Sequence, residues 1–152
     1  MDIRERINTA LKDAMRAKEA DRLSTLRLIN AAIKDREIAL RGEGEGEEVG
    51  EDAILAILGK MVKQRIESAR AYEEGGRIEL ADKERAEIRV IEEFLPRQLT
   101  EAEVESAIGA AIAAVGATSI RDMGKVMAAL KAQHTGQMDF GKVGGAVKAR
   151  LG

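Results

Sequence analysis

The chain has 152 residues, 45% of them hydrophobic and 34% charged, with a formal net charge of −2. This suits one or two small helical domains and is too apolar for disorder. With no cysteine and a single histidine, disulfides, thiolate nucleophiles, zinc–thiolate sites, multi-histidine metal sites and iron–sulfur clusters are excluded.

Aromatic residues make up only 2%, so the core is aliphatic and base stacking on aromatic platforms is not expected. No apolar run approaches the length of a membrane span. The start, Met1-Asp2-Ile3-Arg4-Glu5, has no hydrophobic signal core, and a cytoplasmic address is expected.

Ile3, Ile7, Leu11 and Met15 recur at helical spacing and predict a first helix over residues 2–18. Leu26, Ile29, Ile33 and Leu40 predict a second from about Asp21. Residues 42–50 alternate glycine with glutamate, leave nothing to bury and predict a mobile acidic loop. A third helix is expected over residues 51–74, with Ile54, Leu58, Met61, Val62, Ile66, Ala69 and Tyr72 on one side. Gly75-Gly76 ends it and turns the chain into an antiparallel fourth helix over residues 77–94, striped by Ala81, Ile88, Ile91 and Leu95.

Pro96, the only proline, stops that helix and sets a hinge, with Leu95 and Leu99 as anchors and Arg97 and Gln98 exposed. Thr100-Glu101-Ala102-Glu103 is a capping box that starts a fifth helix, closed by Gly116. Ser119-Ile120-Arg121-Asp122 caps a sixth, carrying Met123, Val126, Met127 and Leu130 and ending at Thr135-Gly136. Asp139 caps a seventh, carrying Phe140, Val143, Val147 and Leu151. No strand is expected. The fold class is all-α: a four-helix N-terminal domain, residues 1–96, followed by a small three-helix C-terminal tail domain, residues 97–152.

Charge divides unevenly at Pro96: 18 basic and 22 acidic residues precede the break, and 7 basic and 5 acidic follow it. The basic lean of the second part fits an anionic partner.

Candidate chemistry is sparse. Arg65 falls in the apolar arc of the third helix and Glu84 interrupts the stripe of the fourth, at positions a hairpin folded at Gly75-Gly76 brings together. The pair reads as a structural salt bridge rather than an acid–base pair, because arginine does not deprotonate. Lys60, Lys63, Gln64 and Arg70 form a polar face that could meet phosphate or simply be solvated. Gly124-Lys125 lacks the preceding strand and spaced glycines of a phosphate-binding loop. A glycine inside a helix costs about 1 kcal/mol against alanine, so close helix packing is expected at Gly124, Gly141, Gly144 and Gly145. His134 reads as a helix-end or surface residue. No catalytic residue, metal site or cofactor is assigned.

Five stretches occur in order: Asp21-Arg22-Leu23-Ser24-Thr25-Leu26-Arg27, Lys63-Gln64-Arg65-Ile66-Glu67-Ser68-Ala69, Gly75-Gly76-Arg77, Phe94-Leu95-Pro96-Arg97-Gln98-Leu99 and Met123-Gly124-Lys125-Val126-Met127. Together they resemble the YqeY family over almost the whole chain. That family is similar to the C-terminal helical and tail region of GatB, a component of the glutamine-dependent tRNA amidotransferase, a carbon–nitrogen ligase. The resemblance implies a helical domain followed by a three-helix tail domain that grips tRNA. Gly124, Lys125, Met127 and Gly136 match the tail motif, and Lys131, Lys142 and Lys148 join Lys125 as expected phosphate contacts. The ammonia-producing and phosphorylating sites of the amidotransferase lie in other polypeptide regions. The expectation is therefore an accessory module whose partner is tRNA or a tRNA-handling enzyme, with no membrane. The alternatives are a protein–protein adaptor without nucleic-acid contact and, last, an independent small enzyme.

Overall fold

The computed structural model describes residues 1–42 and 49–152. The acidic loop expected at residues 42–50 falls mostly outside the described residues. Among the described residues every regular element is helical: α1 (Ile3–Ala17), α2 (Ala20–Gly42), α3 (Glu51–Glu74), α4 (Ile78–Glu92), α5 (Glu101–Val115), a 3₁₀ turn (Ile120–Asp122), α6 (Met123–His134) and α7 (Phe140–Leu151). The chain divides into two compact units, Met1–Leu95 and Pro96–Gly152.

In the first unit local chemistry sets the helix ends. The Asp2 carboxylate caps α1 by accepting from the Glu5 N–H at 2.8 Å. At its other end Lys18 takes a left-handed φ of 56°, and the Glu19 N–H reaches back to the Ala14 carbonyl at 3.0 Å. The α3–α4 turn closes the same way. Gly76 has φ 75°, the Gly76 N–H donates to the Glu73 carbonyl, and the Arg77 N–H donates to the Tyr72 carbonyl at 2.7 Å. These bonds satisfy orphan carbonyls at the end of α3 and return the chain alongside it. The α3–α4 pair is the most extensive helix contact in the protein. Its apolar side joins α1 and α2 in a core of Ile7, Leu26, Ile29, Ile54, Leu58, Ile91 and Phe94.

Two stripe residues depart from expectation. Met15 is 51% exposed and Ala14 is buried in its place; Ile66 is 46% exposed. A strict four-residue spacing drifts by about 40° per turn around a 3.6-residue helix, so the fourth member of such a series leaves the core face. Near the proline, Phe94 is the deeply buried residue while Leu95 and Leu99 are half-buried; Arg97 and Gln98 are exposed.

In the second unit the expected capping box is formed: Thr100 accepts from the Glu103 N–H, and the Glu103 carboxylate accepts from the Thr100 N–H at 3.0 Å. Gly116, φ 65°, ends α5. Ser119 caps the 3₁₀ turn that leads into α6, and Asp139 caps α7 by accepting from the Gly141 and Lys142 N–H groups. Ile108, Ala111, Val126, Leu130, Val143 and Val147 form the core. Residues 97–99 are tied to the turn after α6. The Leu99 N–H donates to the Gln137 carbonyl at 3.0 Å, the Gln98 amide to the Gly136 carbonyl, and the Gln137 amide to the Arg97 carbonyl at 3.1 Å.

Candidate nucleic-acid interface

The expected phosphate contacts lie on two helices of the second unit. Lys125 and Lys131 are on α6, Lys142 and Lys148 on α7, and all four are exposed. Their placement follows from the core. Val126 and Leu130 turn one face of α6 inward, and Val143 and Val147 do the same for α7; the lysines stand one residue before and one after each pair and are turned off that face.

Pairing separates these lysines from two of the unit's three arginines, Arg97 and Arg150; Arg121, exposed on the 3₁₀ turn, is like the lysines in no ion pair among the described residues. Arg97 holds Glu103 through two bonds of 2.8 and 2.7 Å, and Arg150 holds Glu105 at 2.9 Å. Asp122 accepts from the Thr118 and Ser119 N–H groups, which, with lesser help from nearby Lys125, hold its carboxyl below its ordinary value. Among the described residues none of the four lysines forms an ion pair. Arg97 and Arg150 are neutralised on α5, whereas the lysines of α6 and α7 are exposed and, among the described residues, in no ion pair, Lys125 acting on Asp122 only through its field.

The close packing expected at the helical glycines is found at Gly144 and not at Gly124 or Gly145. A Cβ at Gly124 or Gly145 would meet nothing within 4 Å, so close helix packing does not explain either residue. Gly144 is the packed one: it is buried, and its Cβ would stand 3.7 Å from Met123 Cε and 3.8 Å from Met127 Cε, where α7 crosses α6. Gly136 has a structural role, with φ 78° and its carbonyl held by Gln98. His134 is half-buried, with Nδ1 3.1 Å from Gln137 Oε1.

The expected Arg65–Glu84 pair needs correction. Arg65 is half-buried in the α3 stripe, but its Nε donates to Glu87 Oε2 at 3.0 Å, and its Nη1 donates to the Met61 carbonyl at 3.1 Å. Glu84 and Glu87 share a face of α4, one turn apart, so helical phase alone could not choose between them. The register of the hairpin, fixed by the bonds around Gly76, selects the later one.

A shallow cavity of about 280 Å³ opens in the first unit, lined in part by Arg6, Asp13, Arg22, Glu93 and Phe94. Its cations are already engaged. Arg22 holds the Glu93 carboxylate with both terminal nitrogens, and that bond raises the Arg22 pKa. Arg6 donates to the Glu93 carbonyl at 2.8 Å and lies over the Phe94 ring at 5.6 Å. Two sequence stretches that carry the resemblance, those around Arg22 and Phe94, therefore meet here as a brace between α2 and the end of α4. Sequence reading missed it because the partners lie far apart in the chain. Among the described residues no group of three or more His, Asp or Glu side chains could hold a metal ion, and no single helix is long and apolar enough to cross a membrane.

Comparison with known proteins gives this arrangement a family. The sequence model of the Yqey-like protein family matches residues 4–151, and the chain belongs to that family. It is also similar to three proteins named "Altered inheritance of mitochondria protein 41, mitochondrial". That of Meyerozyma guilliermondii is 40% identical over 85 residues, covering 56% of this chain and 42% of its own length. That of Clavispora lusitaniae is 38% identical over 85 residues, covering 56% and 46%. That of Lachancea thermotolerans is 30% identical over 100 residues, covering 64% and 51%. The chain thus spans about half the length of the curated relatives it matches. The cytoplasmic expectation is overturned by these names, which are those of mitochondrial proteins. It rested on the lack of an apolar signal core, and mitochondrial targeting segments, being amphipathic and arginine-rich, lack one too.

Proposed function

We propose that this member of the Yqey-like family is a tRNA-interacting accessory module, related to the tail region of the GatB component of tRNA amidotransferase, that works with a tRNA-handling enzyme and carries no catalytic machinery of its own. The observation that carries the reading is the set of four exposed lysines on α6 and α7, none in an ion pair among the described residues, in a unit where Arg97 and Arg150 are neutralised. Unpaired cations on a helical surface attract phosphate and release counterions from it. With so few aromatic side chains, contacts go to the backbone rather than to bases, and recognition tolerates differences in tRNA identity. Gly124 leaves open space beside Lys125, which lets a sugar–phosphate chain approach the helix closely.

The test is copurification. The full chain, isolated gently at low salt, should carry tRNA that high salt strips off. Its absence from the wild-type protein, or its equal presence on a protein with all four lysines replaced by alanine, would refute the reading.

A second reading, a protein–protein adaptor, has its own support in the first unit. Ile38 and Ile78 there are 55% and 50% exposed, and Leu28, Ile66 and Leu80 are exposed as well. Isolated exposed aliphatics are common, whereas a contiguous patch marks a partner. In that case binding of an enzyme would survive loss of the α6 and α7 lysines.

A further inference from the structure

The helices α6 and α7, each with the aspartate that opens it, carry two versions of one sequence pattern. Residues 122–133 read Asp-Met-Gly-Lys-Val-Met-Ala-Ala-Leu-Lys-Ala-Gln, and residues 139–150 read Asp-Phe-Gly-Lys-Val-Gly-Gly-Ala-Val-Lys-Ala-Arg. Seven of the twelve positions are identical: the aspartate, the first glycine, the following Lys-Val, the central alanine and the later Lys-Ala. Two more exchange one aliphatic or small residue for another, Leu130 for Val147 and Ala128 for Gly145. The structure repeats as well. Buried, half-buried and exposed positions coincide at ten of the twelve. Val126 and Leu130 occupy in the first copy the core places that Val143 and Val147 occupy in the second.

Two of the differences are informative. Met127 in one copy is Gly144 in the other, and these two residues meet, the methyl of the first lying over the second. One copy supplies the knob and the other the hole, so the pair packs closely where two identical residues would clash or leave a gap. The last position differs too: Gln133 against Arg150, whose guanidinium pairs with Glu105 on α5.

What is kept outside the core is the exposed set. Gly124, Ala128 and Lys131 follow one another at i, i+4 and i+7 on α6, and Gly141, Gly145 and Lys148 do so on α7. In each helix this stripe adjoins the residue at the α6–α7 contact, Met127 or Gly144. Lys125 and Lys142 stand one residue after the leading glycine in each copy. Packing of the core explains the shared valines and aliphatics. It does not explain shared exposed lysines that, among the described residues, form no ion pair, nor a shared small residue at the exposed position where Gly145 has open space.

We infer that α6 and α7 are two copies of one phosphate-contacting helix, and that the protein grips the RNA backbone at two equivalent points, Lys125 with Lys131 and Lys142 with Lys148. This rests on the tRNA reading above and adds to it a count and a symmetry. Neither copy is an auxiliary of the other, and each meets sugar–phosphate rather than base edges.

The experiment uses the full chain, fluorescently labelled tRNA and anisotropy across a salt series. Four proteins are compared: wild type, Lys125→Ala/Lys131→Ala, Lys142→Ala/Lys148→Ala, and the variant with all four changes, each checked for unchanged helicity by circular dichroism. The inference expects the two double variants to lose affinity by the same factor. Each should flatten the log–log salt slope by about 1.4–1.8, two phosphates at 0.7–0.9 each, and the quadruple variant by about twice that. Lys60→Ala/Arg70→Ala on α3 serves as a control and should leave the slope unchanged. If one double variant abolishes the slope while the other leaves it intact, the two-copy inference is overturned and the tRNA reading stands. If wild type shows no saturable binding at low salt, the tRNA reading falls and takes the inference with it.

Discussion

Replacing Glu87 with alanine should destabilise the protein by about 2 kcal/mol, a value between two known regimes. Fully exposed ion pairs contribute about 0.2–1 kcal/mol, and stripping one partner from a fully buried pair costs about 3–5 kcal/mol. The Arg65–Glu87 pair sits between, at 3.0 Å with side chains 15% and 19% exposed. Without Glu87, Arg65 keeps only the Met61 carbonyl, at 3.1 Å, and a small share of water. Urea unfolding followed by helicity should then show a lower midpoint with an unchanged slope. In a heat scan, about 2 kcal/mol in a unit of this size corresponds to a fall of roughly 10 °C. Glu84→Ala is the matched control and should cost less than about 0.5 kcal/mol, because Glu84, though half-buried like Glu87, does not hold Arg65. The double change Arg65→Met/Glu87→Leu should recover most of the loss, because an apolar pair of similar volume avoids burying charge. A Glu87→Ala cost below about 0.5 kcal/mol, or a Glu84→Ala cost exceeding it, would refute the reasoning.

Three further outcomes are expected. Glu103 should titrate at about 2 rather than the ordinary 4.5, held down first by the Arg97 guanidinium and next by the Thr100 N–H. Because the folded value is depressed, its contribution to stability is complete above the unfolded value of 4.5 and is lost as pH falls through about 2; a carboxyl NMR titration of wild type and Arg97→Ala checks this, the variant moving upward. Lys18→Gly should raise stability by about 0.5–1 kcal/mol, read by urea unfolding, since Lys18 holds a left-handed φ of 56° that glycine adopts without strain. Gly116→Ala, at φ 65°, should do the reverse and cost about 1 kcal/mol or more by the same measurement.

Helix ends were the most legible part of the sequence, because their signals are local. The Thr100–Glu103 box, Asp139 and the glycines at 76 and 116 act on bonds a few residues away, and each is found doing so. Arg65 was legible as a charge inside an apolar arc, but its partner was not. Choosing Glu87 over Glu84 takes the register of two helices, which hangs on the geometry of the Gly76 turn. The brace of Arg22 on Glu93 was invisible for the same reason, its ends lying on separate helices. The glycines misled in one direction. Close packing was expected at Gly124 and Gly145, where the structure leaves open space, whereas Gly144 lies under a neighbour's methyl groups. The lysines were legible as charges. That they form no ion pair among the described residues was not, because it depends on where Arg97 and Arg150 find their glutamates.

The measurement that bears most directly on the account is the affinity of the full chain for tRNA as a function of salt. The account predicts saturable binding at low salt that weakens steeply as salt rises, with a log–log slope corresponding to about two to four phosphates, and little preference among tRNAs. Absence of saturable binding at low salt, or binding whose strength does not change with salt, would contradict it and favour an adaptor that meets only protein.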